Sequence, residues 1–305
     1  MTAPGRARGA LSPAPAMVYT REPEGRASGL PAIAAFHRRF STRSPMRSFL
    51  FALIYFPLTV LWTLSLFPLV LLPSDKPLVR WVIAWMDTVL WLARTIVGIR
   101  IEYRGWERLP DDRAYVFLAK HMSYLDVIAV FRRLPTLTAL AKTELFSIPV
   151  IGLILKKLEV VRVDRGSGRA HEQMPRVIDR VVATRRPLLV YPEGTRARPG
   201  ERRPLRSGAY HLQLGGRLPV YPVATNSGLH WPKKDLRKRP GTVVVAVGEP
   251  IPPGLPKDAF MAEVEARVIE ASDQLMREVD GVDPAALPGA DPRERSLARP
   301  GRGGR

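Results

Sequence analysis

The sequence predicts an α/β protein: a mostly parallel sheet flanked by helices, preceded by an N-terminal hydrophobic helical hairpin. Three observations carry this reading. Six short apolar runs, Tyr115–Ala119, Leu137–Ala141, Val160–Val163, Leu188–Tyr191, Val220–Ala224 and Val243–Val247, read as strands buried on both faces. Helical stretches alternate with them, near Tyr124–Arg133, Pro149–Lys157, Arg169–Thr184, Ser207–Leu214 and Lys257–Val279, as a parallel sheet covered on both sides requires. Ahead of all of these, no residue from Ser48 to Ser74 is charged.

Residues 1–45 mix Gly, Pro, Ala and Arg without periodicity and read as a disordered basic arm. The arm lacks the short apolar core and cleavage site of a secretory signal. Residues 46–100 then form the expected membrane-associated hairpin. Its first run, FLFALIYFPLTVLWTLSLFPLVLL, is long enough to cross a bilayer, and membrane helices tolerate prolines such as Pro57 and Pro68. The second, WVIAWMDTVLWLARTIVGI, carries Asp87 and Arg94 and suits an interfacial or packed helix, with Trp81, Trp85 and Trp91 as headgroup-level anchors. Basic residues on both flanks, Arg43 and Arg47 before and Arg94, Arg100, Arg104 and Arg108 after, favour a cytoplasmic location for both ends. Two crossings or a monotopic hairpin both satisfy this. Residues 101–280 hold the α/β domain, and 281–305 return to Pro, Gly and Arg as a disordered tail.

Composition narrows the chemistry. With 47 Lys and Arg against 28 Asp and Glu, the net charge of +19 favours anionic partners: nucleic acid, acidic headgroups, or an acidic substrate or carrier. The uncharged run argues against nucleic acid, as does the lack of aromatic residues interleaved with the bases. The absence of Cys excludes disulfides and thiolate chemistry. The five His show no metal-ligand spacing, so no metal is expected.

The most informative stretch is YVFLAKHMSYLD, Tyr115 to Asp126. On one helix His121 and Asp126 would diverge by roughly 140°. With His121 in the loop after the strand, Ser123 as N-cap and Asp126 at the third helical position, the carboxylate tilts back toward the imidazole. An imidazole oriented by a carboxylate suits a general base acting on a hydroxyl. Ser123 and Asp126 also read simply as a capping-box variant. The second stretch is LLVYPEGTRARPG, in which a strand ends at Pro192 and Glu193, Gly194, Thr195 and Arg196 occupy the loop. Gly194 permits close backbone approach to a ligand, Thr195 offers a hydroxyl, and Arg196 a planar fork suited to phosphate. His211, in AYHLQL, reads as packed rather than catalytic, and the bases Lys233 to Arg239 as a solvated face or an anion-binding loop.

Taken together these stretches resemble the glycerolipid acyltransferase family, in particular lysophosphatidate acyltransferases. His121 and Asp126 match its H-x-x-x-x-D motif, Val190 to Arg196 its P-E-G-T-R motif, and LPVYPVATNSG its apolar motif around Pro. The second motif is matched in part: Val163, Asp164 and Arg165 are present, with Glu159 where Gly is usual and Arg162 where Phe is usual. AKTELFSIPVIG also looks like the family's Lys-x-Glu-Leu and Pro-x-x-Gly pattern. The resemblance covers roughly residues 50 to 255. It implies an acyltransferase-type domain over 101–280 in which His121 deprotonates a lysophospholipid hydroxyl and Asp126 holds His121. Arg165, Glu193, Gly194, Thr195 and Arg196 would bind the acceptor phosphate and its neighbours. It implies no bound cofactor, acyl-CoA or acyl-carrier protein as co-substrate, lipid partners and a cytoplasmic (inner) membrane location. The altered Glu159 and Arg162 keep another acceptor open, such as a lyso-aminolipid. A non-catalytic basic protein bound to a membrane or nucleic acid is the alternative of a different class.

Overall fold

The protein's structure, a computed structural model, describes residues 44–149, 151–164, 170–233, 235–287 and 290. The basic arm, most of the tail and Arg165 lie outside the described residues.

Helix α1, Ser44–Leu71, and helix α2, Lys76–Leu92, form the hairpin, and α2 opens with Pro77 in its first turn, where no N–H partner is lost. One stripe of α1 faces outward: Phe49, Leu53, Phe56, Val60, Leu64, Phe67 and Leu71, at spacings of three or four. The opposite stripe is held against the α/β domain at both ends. Near the start, Ser48 Oγ donates to the carbonyl of Lys238 (3.1 Å) and Phe51 meets Trp231 edge-on (centroids 5.2 Å). Near the end, Leu66 and Val70 pack with Ile154 and Leu158, and Lys157 Nζ donates to the carbonyls of Leu69 (3.3 Å), Leu72 and Ser74 (3.2 Å). The first two of those carbonyls belong to the unsatisfied end of α1, which an ammonium suits.

Helix α2 buries Met86, Val89 and Leu92 on the same domain. Among the described residues only α1 is long and apolar enough to cross a bilayer. The expected indole anchors are put to another use in part. Trp81 Nε1 donates to Ser65 Oγ (2.8 Å), Trp85 Nε1 to Thr59 Oγ1 (3.3 Å), and Trp62 stacks on Trp81. An indole N–H in apolar surroundings needs a partner, and the neighbouring helix supplies one. Trp91 is exposed.

A π-helical turn, Ala93–Val97, leads into strand β1, Ile99–Arg104, whose apolar residues alternate with Arg100, Glu102 and Arg104. The domain continues as β2 (Val116–Ala119), α3 (Tyr124–Arg133), β3 (Thr138–Lys142), α4 (Ile151–Lys157), β4 (Val161–Val163), α5 (Met174–Thr184), β5 (Leu188–Val190) and α6 (Gly208–His211). It ends with β6 (Val220–Thr225), α7 (Ser227–His230), β7 (Gly241–Val247), α8 (Lys257–Val264) and α9 (Ala271–Asp280). The helix expected over Ser207–Leu214 is one α-helical turn followed by a 3₁₀ turn at Leu214–Gly216, where Gly215 and Gly216, at φ +79° and +62°, end the helical path. The domain also runs past its expected end at 280. Val282 is buried with Met122, Leu229 and Met276, and Asp283 caps a short turn at Pro284–Ala286.

The seven strands lie in the order β1-β7-β6-β2-β5-β3-β4. All pairs are parallel except β6 with β7. Alternation along β2 splits the core: Val116 and Leu118 face α5 and α8, while Phe117 faces Trp106, Ala129 and Val130 beneath α3. Burying one such side chain contributes about 1.5–3 kcal/mol. The three central neighbours, β6, β2 and β5, run the same way, so their carboxyl ends share one edge of the sheet.

Candidate active site

That shared edge gathers residues distant in sequence. The chain leaves β2 at Lys120 and His121, β5 at Tyr191 to Arg196, and β6 at Asn226 and Ser227.

Ser123 is the N-cap of α3, its Oγ accepting from the Leu125 N–H at 3.0 Å. Asp126, in the first turn, turns its carboxylate back over the cap. Asp126 Oδ2 accepts from the N–H groups of Met122 and Ser123, both at 2.8 Å, and lies 3.0 Å from His121 Nδ1. Asp126 Oδ1 accepts a hydrogen bond from Ser227 Oγ. The capping box and the imidazole clamp are therefore one structure. With Nδ1 donating to the acid, the Nε2 lone pair is the basic one, and Nε2 makes no hydrogen bond among the described residues. The His121 side chain is 17% exposed, enough for a substrate to reach it. One face of the imidazole is covered by the Tyr191 ring, with centroids 3.8 Å apart and planes within 14°.

The second loop is tied to the first by the Ala197 N–H, which donates to the carbonyl of His121 at 2.8 Å. Gly194 takes φ +69°, a conformation that favours glycine, as its N–H closes a turn on the Tyr191 carbonyl (2.9 Å). Thr195 is exposed. The Arg196 guanidinium lies 3.8 Å over the Tyr124 ring, and its Nη2 donates to Tyr124 Oη at 3.1 Å. Its Nη1 is enclosed and has no partner among the described residues.

Glu193 departs from the expected role. Its side chain is buried and accepts from Lys120 Nζ at 3.1 Å, itself buried, so the carboxylate braces the two loops from within and cannot reach a substrate. Burial pushes the Glu193 carboxyl up, and Lys120 and the His121 N–H pull it the other way. Burial likewise raises the Tyr191 hydroxyl, with Asp126 adding to the shift. Although the ring is partly exposed, the hydroxyl is enclosed and has no partner among the described residues.

Beside the imidazole a cavity of about 450 Å³ opens between the ends of β3, β4 and β5 and helix α6. Leu140, Val163, Met174 and Leu212 give it apolar walls, and Gly194, Thr195, Lys142 and Arg206 its polar ones. Tyr191 is the partition between this cavity and His121. The two departures from the family's second motif do not line the cavity. Glu159 reaches Arg180 (3.1 Å) and Arg162 reaches Thr143 (3.3 Å). Glu159 stands at φ +57°, which explains why glycine is usual there. Among the described residues no group of three or more His, Asp or Glu could hold a metal ion.

Sheet order and the edge just described define an α/β protein whose candidate site lies beyond the carboxyl ends of three parallel strands. A family model described as Acyltransferase matches residues 100–226. A 1-acyl-sn-glycerol-3-phosphate acyltransferase of Pseudomonas aeruginosa is 33% identical over 211 residues, 68% of this chain and 81% of that protein. One of Cocos nucifera is 30% identical over 196 residues, 63% of this chain and 62% of its own length. The human alpha form is 32% identical over 160 residues, 52% and 56%. The crystal structure of the 1-acyl-sn-glycerophosphate (LPA) acyltransferase from Thermotoga maritima shares the fold at a TM-score of 0.59 and 23% identity, over 75% of this chain and 96% of that one. The chain belongs to the 1-acyl-sn-glycerol-3-phosphate acyltransferase family and is an acyltransferase.

Ser227, Lys120 and Tyr191 are the participants that sequence reading missed. Ser227 lies 101 positions from Asp126, and only the parallel pairing of β6 with β2 brings them together.

Proposed function

We propose that the enzyme moves a fatty acyl group from a thioester donor, acyl-CoA or acyl-carrier protein, to the free hydroxyl of lysophosphatidate, giving phosphatidate. The observation that carries this reading is the His121 Nδ1 to Asp126 Oδ2 contact of 3.0 Å beside the half-satisfied Arg196. His121 Nε2 takes the proton of the acceptor hydroxyl while Asp126 steadies the imidazolium. The oxygen attacks the thioester carbonyl, and the tetrahedral intermediate collapses with loss of the thiolate. That thiolate then takes the proton from His121, so base and acid are one residue and no covalent acyl-enzyme is needed.

Arg196, Thr195, the Gly194 backbone and Arg165 are proposed to hold the acceptor phosphate. Glu193 supports that loop from within. The named relatives act on 1-acyl-sn-glycerol-3-phosphate, and their similarity supports the same acceptor here.

Membrane association follows from the outward stripe of α1. Since both ends of α1 are held to one α/β domain, we place the hairpin in a single leaflet on the cytoplasmic side of the inner membrane, without crossing it. The acceptor then reaches His121 without leaving the lipid. The test is turnover by membranes offered lysophosphatidate or a lyso-aminolipid, each with acyl-CoA and with acyl-carrier protein. Acylation of lysophosphatidate is expected to dominate; preference for an acceptor without phosphate would contradict the proposal.

A further inference from the structure

The Tyr191 ring is the least explained group at the site. It ends β5, walls the cavity, stacks on the imidazole at 3.8 Å, and carries an enclosed hydroxyl with no partner among the described residues. An enclosed hydroxyl without a hydrogen bond destabilises the protein, so hydrogen bonding does not account for a tyrosine at this position. What the ring does make is the face contact.

We infer that Tyr191 is a positioning residue for the reaction: its ring, not its hydroxyl, fixes the plane of the His121 imidazole so that Nε2 points at the acceptor hydroxyl. This rests on the proposed role of His121 as base. Asp126 holds the imidazole at one atom, Nδ1, and a single hydrogen bond leaves the ring free to rock about that axis. A parallel aromatic face a van der Waals distance away removes that freedom. The other charged groups near the imidazole do not: Lys120 and Glu193 pair with each other beneath the loop. The stacked ring also separates the base from the cavity. Chemistry depends steeply on such alignment, a misplacement of about 1 Å being enough to slow it near 100-fold.

The experiment compares Tyr191→Leu, Tyr191→Phe and His121→Ala with the parent enzyme in lipid vesicles. Steady-state kinetics on lysophosphatidate and acyl-CoA and a thermal unfolding curve are recorded for each. Tyr191→Leu is expected to lower kcat about 10-fold with KM within about 2-fold, as follows when an aromatic face no longer supports the transition state while substrate binding is untouched. Tyr191→Phe, which restores the ring, recovers the parental rate and unfolds at the same or a higher temperature. A Leu variant with parental kcat, or one in which KM rises instead, overturns the inference by making Tyr191 a spectator or a mere wall of the binding site. A Phe variant as slow as the Leu variant also overturns it, by assigning the effect to the hydroxyl. His121→Ala separates this from the larger reading: full turnover there removes the base itself, whereas an inactive His121→Ala beside a parental Tyr191→Leu sinks the tyrosine role alone.

Discussion

Asp126 answers to two demands with one carboxylate. It closes the N-terminus of α3 by accepting two backbone N–H groups, and the same oxygen faces His121 Nδ1. The capping reading and the reading in which the carboxylate turns toward the imidazole meet in one geometry, because the cap is what aims the acid. Ser227, at the start of α7 just beyond β6, completes the carboxylate. Ser227→Ala is expected to lower kcat about 10-fold, as removal of one hydrogen bond to a charged group implies, with KM little changed. An unchanged kcat would show that the backbone donors alone suffice.

Glu159 supplies a second prediction at this scale. It sits in a left-handed conformation that disfavours side chains, and its ion pair with Arg180 is exposed. Glu159→Gly should raise stability by about 1 kcal/mol with activity retained, measured by denaturant unfolding. A fall in stability would mean the ion pair outweighs the strain. The burial of Glu193 was not legible, since Glu in a Gly-Thr-Arg loop reads as exposed until its partner Lys120, at the end of a neighbouring strand, is placed beside it.

Among the elements, the hairpin is the one whose arrangement sequence left undecided. Its apolar length was plain, but whether it crosses depends on contacts made by Lys157 and Trp231, which belong to the α/β domain. Because the chain has no Cys, a single thiol reports topology cleanly. Ser74→Cys, at the tip between α1 and α2, should react with a membrane-impermeant maleimide from the same side as Arg217→Cys on the α/β domain. Reaction from opposite sides would mean the hairpin crosses.

The loop that receives α1 carries its own signature. Burial pushes the Lys238 ammonium down to about 8 from 10.5, with Asp235 opposing. Between those values the unfolded chain holds a proton that the folded one has released, so this residue makes stability rise with pH through that window. Thermal unfolding from pH 8 to 10.5 should show the rise in the parent and not in Lys238→Met. The strands were legible as apolar runs, apart from β1, in which charged and apolar residues alternate. The antiparallel turn of β7 against β6 was not, since apolar pattern carries no strand direction.

At the scale of the molecule, the order of strands makes the site. Three parallel neighbours bring His121, Tyr191, Arg196 and Ser227 to one edge, and the hairpin packs along that domain with an apolar stripe turned outward. His121 and Arg196 could be found in the sequence because local motifs mark them. Tyr191 and Ser227 could not, because their roles exist only across strands. The excess of basic residues suits an anionic surface and an anionic acceptor. The proposed chemistry stands on His121 acting as the base. The measurement that reaches it most directly is kcat for acyl transfer to lysophosphatidate by His121→Ala in vesicles, with membrane binding and unfolding temperature followed in parallel. A fall of about 100- to 10,000-fold in a folded, membrane-bound variant is the result expected; turnover near the parent's would contradict it.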